Sequence, residues 1–388
     1  MLYTLAPVWV RIGENEGKPM TDDKTTLPPQ KKRYEWIDNA RIVAALLIIY
    51  VHIPTSFQNE PLATSTTAVN LITGSTIFGR VPFFLILAGY FLGRKITWHK
   101  AIDRAIWLFI PFFLWNLIFW VLYSYETLLS PSWRLIDYVH AIPHILGTSC
   151  LFSPRFHILS SPMAWPTIDP TWFLRDIVLL SLLTPILVRF KGLIMASLLV
   201  VASFEDFNLP FQSGVTLAPY TLFYYLLGVC LCNFRIDDAY CIFNKRFTPI
   251  FVISLAIITT VCIVLGCNGV KMIDATIIGP LFGAMLIAYS GVLVEKHLPK
   301  LSKRLAPCGP ACFLVFVLHR PLLHALSLCL PGWITGTILI WLLPIPVCAA
   351  IIALFLLMKR YAPLLLPYLG HMKVPKKQPV DAPAAKAP

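Results

Sequence analysis

Residues Asn39 to Phe57 read NARIVAALLIIYVHIPTSF, an apolar stretch of membrane-spanning length that carries an arginine and a histidine. As a helix, the eleven-residue step from Arg41 to His52 leaves the two roughly 20° apart around the axis and roughly 16 Å apart along it. They share one face at two depths. An ionisable side chain in hydrocarbon is costly and turns toward protein or a water-filled cavity, so this face is expected to line the interior of the molecule.

Working outward, the chain of 388 residues is 57% hydrophobic and 13% charged, with a mean hydropathy of +0.72, against about 25% charged residues in an ordinary soluble domain. Apolar runs near 20 residues recur almost to the C-terminus and leave no room for a separate soluble domain. The expectation is an all-α, polytopic membrane protein of about ten transmembrane helices. It comprises an N-terminal tail over residues 1–35, a transmembrane domain over 36–360 and a C-terminal tail over 361–388. The expected spans are Asn39 to Phe57, Ile77 to Leu92, Arg104 to Tyr123, Thr171 to Val188, Leu193 to Phe204, Val215 to Phe234, Thr248 to Cys267, Ala275 to Val294, Cys308 to Leu330 and Trp333 to Met358.

The net charge of +13 is not a nucleic-acid signature, because 26 of the 32 lysines and arginines fall in the tails and in alternate loops of this scheme. That is the positive-inside pattern, and it places both termini in the cytoplasm. Six of the ten cysteines, Cys230, Cys232, Cys262, Cys312, Cys329 and Cys348, fall within expected spans, where a thiol behaves as a small hydrophobe. We expect no disulfide and no metal site. His140 and His144 are four apart, but Pro143 between them breaks the helix a metal pair would need. The first nineteen residues do not read as a signal peptide, and Met20 is an alternative start to Met1.

The ionisable groups within the spans form a column. His52, Arg80, Arg175 and Asp176 are expected in its outer third, Arg41 and Arg104 at the inner boundary, and His319 with Arg320 between. Each has a plain alternative: Arg41 and Arg104 either snorkel to the interface or meet an anionic ligand, and Arg80 and Arg175 either pair with acids such as Asp176 or serve the site. His52, set among aliphatic residues, is hardest to explain as filler. No phosphate loop, dinucleotide fingerprint, nucleophile elbow or HExxH motif stands in a suitable context. The enzymatic chemistry left to these residues is a neutral imidazole taking a proton from a hydroxyl that attacks an acyl carbon, with guanidinium groups holding anionic parts of the donor.

Four blocks resemble the integral-membrane acyltransferase family 3, in family order. YEWIDNARIVAALLIIYVH, Tyr34 to His52, is similar to its first-helix signature of an arginine and a histidine separated by ten residues. GRVPFFLILAGYFLG, Gly79 to Gly93, resembles its second-helix block, with Ala88 where serine is usual. TWFLRDIVLLSLLTPIL, Thr171 to Leu187, resembles its Trp-Phe helix, and FLVFVLHRPLL, Phe313 to Leu323, its late His-Pro block, here interrupted by Arg320. Near the third helix the chain keeps Arg104 but has Trp107 in place of a second arginine.

The resemblance implies transfer of an acyl group, acetyl from acetyl-CoA above all, to a hydroxyl of a surface or secreted glycan such as an exopolysaccharide. It implies a bacterial inner-membrane enzyme, with polysaccharide-assembly proteins as further partners. By the same resemblance His52 is the catalytic base, Arg41 and Arg104 bind the donor, and Arg80 supports the site; Arg175, Asp176 and His319, from the column of ionisable groups, are expected as further supporting residues. The glycan is expected to approach under the loop from Ser124 to Pro170. A transporter or flippase for a glycan or lipid-linked sugar is the rival reading of the same column.

Overall fold

The computed structural model describes residues 33–57, 79–94, 96–128, 171–204, 219–244, 279–330 and 341–370, with isolated positions between 249 and 261. Every regular element among them is helical. In chain order these are α1 (Glu35–Val51), α2 (Ile53–Ser56), α3 (Arg80–Leu92), α4 (Trp98–Leu128), α5 (Trp172–Phe204), α6 (Pro219–Leu231), α7 (Ile236–Asn244), α8 (Gly279–His297), α9 (Pro299–Leu305), α10 (Cys312–Cys329), α11 (Pro344–Tyr361) and α12 (Leu366–Leu369), with 3-10 turns at Ala306–Ala311 and Pro363–Leu365.

The molecule is a multi-pass membrane protein. Among the described residues four stretches are long and apolar enough to cross a bilayer, Trp98–Phe119, Trp172–Leu198, Pro299–Cys329 and Pro344–Tyr361, and two further helices, Arg80–Leu92 and Tyr220–Leu231, are apolar but shorter. Its outer face agrees. Ile102, Ile106 and Phe109 on α4 stand exposed at helical spacing, as do Ile253, Ile257 and Val261, whereas Asn116, Thr171, Ser181, Thr184 and Thr221 are fully buried. Apolar outside and polar inside is the pattern of helices packed in lipid.

Close helix crossings set the interior. α1 packs on α8, α3 on α6, α4 on α5, and α10 on α11. At the α3–α6 crossing a Cβ on Gly89 would collide with the Tyr225 carbonyl oxygen, and one on Gly228 with that of Ile86. With no hydrophobic drive between helices in lipid, such backbone-to-backbone approach supplies much of the packing, and glycine permits it. Ala40 and Ala44, both fully buried, do the same on α1, where Gly291 of α8 rests against the Trp36 carbonyl.

Several expectations need correction. The expected spans Thr171 to Val188 and Leu193 to Phe204 are the two helical arms of α5, and the boundary between them is a kink at Phe190 (φ −111°, ψ 17°), between Arg189 and Lys191, rather than a four-residue loop. α4 is 31 residues long, so positions 124–128 of the expected outer loop are helical. α7 is an additional short amphipathic helix with Asp237 and Asp238 in its first turn, where acidic residues complement the helix dipole. The rest of the loop to Pro170, most of the Thr248 to Cys267 span, His140 and His144 lie outside the described residues.

Candidate active site

α1 begins at the polar end of the column. Asp38 lies between two guanidinium groups, with Arg33 Nη2 and Arg41 Nη1 each 2.8 Å from its carboxylate. Arg33 also donates to the Ala306 carbonyl. Asn39 Nδ2 donates to Ser302 Oγ at 2.8 Å, and that hydroxyl donates to Glu35 at 3.1 Å. Arg41, only 1% exposed, is therefore held by a carboxylate one turn earlier on its own helix. Gly309 makes room for this, because a Cβ there would strike Asp38.

At the other end α1 stops where the site begins. Pro54 has no N–H to donate to the carbonyl four residues back and cannot sit inside a continuing helix. The turn loosens at His52 (φ −93°, ψ −1°), whose own N–H reaches Ile49 O at 3.0 Å. The imidazole is thus presented from a helix break rather than from mid-helix, and it is half-buried.

His319 of α10 meets it there, with ring centroids 4.9 Å apart and planes inclined by 45°. His319 is fully buried. Its Nδ1 lies 2.8 Å from Val315 O, while its Nε2 is buried without a hydrogen-bond partner among the described residues. Phe316 packs beside it, and Phe173 of α5 against Phe316 at 5.1 Å.

Arg80 and Arg320 lie within electrostatic reach of the His52 ring, and Arg80 also faces Tyr220 of α6. Arg80 opens α3 immediately after Gly79, whose left-handed φ of 63° a side-chain-bearing residue would resist. Gly79 abuts the backbone of α8 at Pro280 and Ala284, which fixes where Arg80 enters the interior. Arg80 is 5% exposed, yet no carboxylate among the described residues lies within ion-pair distance of it.

The structure thus brings together His52, His319 and Arg80 of the expected residues. Arg175 and Asp176 form a buried pair with each other at 3.2 Å on α5. Arg104 faces Tyr225, whose hydroxyl shares a 2.5 Å hydrogen bond with Thr184. Arg41 is paired with Asp38, one turn earlier on α1. Sequence reading placed Arg320 in the column without a role of its own and left Tyr220 and Asp38 unassigned; the signal for Asp38 was an acid three residues before a buried arginine. Among the described residues no three His, Cys, Asp or Glu side chains converge as a metal site would require.

A histidine at a helix break, flanked by a second histidine and a buried arginine within an apolar bundle, is an arrangement whose imidazole chemistry can accept and pass on a proton. The family model described as "Acyltransferase domain", of the Acyl_transf_3 family, matches residues 34–360, and the chain belongs to that acyltransferase family. It is also similar to the succinoglycan biosynthesis protein ExoH of Rhizobium meliloti (strain 1021), at 26% identity over 207 residues, which cover 50% of this chain and 52% of the relative. The chain thus spans about half the length of that curated relative. No solved structure matches it.

Proposed function

We propose that this chain transfers an acyl group, acetyl in the first instance, from cytoplasmic acyl-CoA to a hydroxyl of a surface or secreted glycan. The observation that carries this reading is the placement of His52 at the end of α1 beside His319 and within the field of Arg80. The relative's part in succinoglycan biosynthesis supports a polysaccharide acceptor. The bias of lysine and arginine toward the Arg41 end supports an inner-membrane orientation with both termini in the cytoplasm.

In this mechanism the donor enters at the basic face, where Arg41 and Arg104 attract its phosphates. The roughly 16 Å from Arg41 to His52 suits a long, narrow donor whose thioester reaches the histidine. His52 takes the proton from the glycan hydroxyl as its oxygen attacks the thioester carbon. The Arg80 guanidinium stabilises the negative charge that builds on the carbonyl oxygen, where preorganised charge in a dry site counts most. The C–S bond then breaks, the new C–O ester bond remains, and the proton on His52 passes to the departing thiolate.

Membranes containing the protein, given labelled acetyl-CoA and glycan, are expected to place label on the glycan. A transporter or flippase moves the glycan but leaves it unlabelled, and that result would overturn the proposal. A parallel arm with labelled succinyl-CoA identifies the acyl group.

A further inference from the structure

His319 carries an internal constraint that fixes its protonation. A backbone carbonyl only accepts, so the 2.8 Å contact between Nδ1 and Val315 O requires the proton on Nδ1. In the neutral ring Nε2 is then a bare acceptor. It is fully buried and has no donor among the described residues, an arrangement that costs free energy as it stands.

The His52 ring is beside it. A collinear N–H···N bond of about 2.9 Å between two imidazoles puts their centroids about 5 Å apart, and the observed separation is 4.9 Å. A hydrogen bond between the rings requires a His52 N–H directed at Nε2, and in that neutral tautomer the other nitrogen of His52 carries the lone pair.

We infer that His319 is a positioning residue for acyl transfer: its Nε2 accepts a hydrogen bond from His52, selects the tautomer of His52 that presents a basic nitrogen to the acceptor hydroxyl, and shares the proton His52 gains. This rests on the function proposed above. No net proton is gained or lost in the pair: the hydroxyl proton enters on that other nitrogen of His52 and leaves from it to the thiolate, while His319 Nε2 stabilises the imidazolium between those events.

Two substitutions separate this role from a structural one, because each retains one edge of the ring. His319→Asn keeps a donor for Val315 O and deletes the acceptor; His319→Gln places an amide oxygen near the Nε2 position and gives up the Val315 bond. With purified full-length protein in proteoliposomes, labelled acetyl-CoA or succinyl-CoA, and glycan from cells lacking the protein, kcat is expected to fall about 10- to 100-fold in H319N with KM unchanged. H319Q is expected to recover a substantial part of that loss. If H319N retains kcat within about threefold, or if H319Q is the more impaired of the two, the inference is wrong and the ring serves packing. Should H319N fail to accumulate, H319Q against H319M, similar in length and differing in the amide oxygen, decides in the same way: equal kcat overturns the inference. Active wild type with active His52→Ala would instead overturn the function of His52, and the role of His319 with it.

Discussion

Gly89 of α3 lies so close to Tyr225 of α6 that any side chain at position 89 would enter the space of the Tyr225 carbonyl oxygen. This contact sits at the crossing that holds Arg80's helix against the helix bearing Tyr220 and Tyr225, so packing and site geometry depend on one absent methyl group.

Gly89→Ala is therefore expected to lose about 2–3 kcal/mol of stability or to prevent accumulation of the folded protein, since both neighbours at the contact are backbone and cannot yield cheaply. Gly192→Ala is the control. Nothing lies within 4 Å of a Cβ there, and the gain in helix propensity is expected to stabilise by about 0.5–1 kcal/mol. Thermal unfolding of the two variants in the same detergent checks both signs.

Asp38→Ala is expected to cost about 3 kcal/mol or more, because it leaves the buried Arg41 guanidinium and its neighbour Arg33 without their shared carboxylate. The same melting experiment reads it. A loss below about 1 kcal/mol would mean that water or headgroups already compensate the pair.

Much of this fold is legible in the sequence, because burial in lipid leaves long apolar runs and few charges to interpret. α1, α3 and α10 lie where their hydrophobic stretches predict. The charges of Arg189 and Lys191 mark a true boundary, because the two arms of α5 meet between them at the kink of Phe190, but as a one-residue kink rather than a loop. α7, nine residues long, is too short to span a membrane and lies in a charged inter-span segment, although Ile236, Tyr240 and Phe243 carry a helical period. In the site, His52 and Arg80 are visible as costly residues in apolar segments. The company of His319 is not, since it depends on the packing of two helices more than 260 positions apart in the chain.

Arg80→Met is expected to lower kcat about 100- to 1,000-fold with little change in stability, as the loss of one preorganised charge at a developing oxyanion does. Arg80→Lys keeps the charge without the planar fork and is expected to fall between. Steady-state kinetics of acyl transfer in proteoliposomes makes the comparison. A KM effect alone would assign Arg80 to donor binding instead.

Tyr225→Phe removes one partner of the 2.5 Å hydrogen bond to Thr184 beside Arg104. If Arg104 meets the donor, the expected result is a several-fold rise in KM for acyl-CoA at nearly constant kcat. An unchanged KM would return Arg104 to the role of an interfacial anchor.

The most direct test concerns His52 itself. Full-length wild type and His52→Ala, reconstituted at equal amounts and matched for thermal stability, are supplied with labelled acetyl-CoA or succinyl-CoA and glycan, and label on the glycan is counted. A general base contributes about 100- to 10,000-fold, so the account predicts label with the wild type and a fall of that order in the variant; transfer by His52→Ala at the wild-type rate would contradict it.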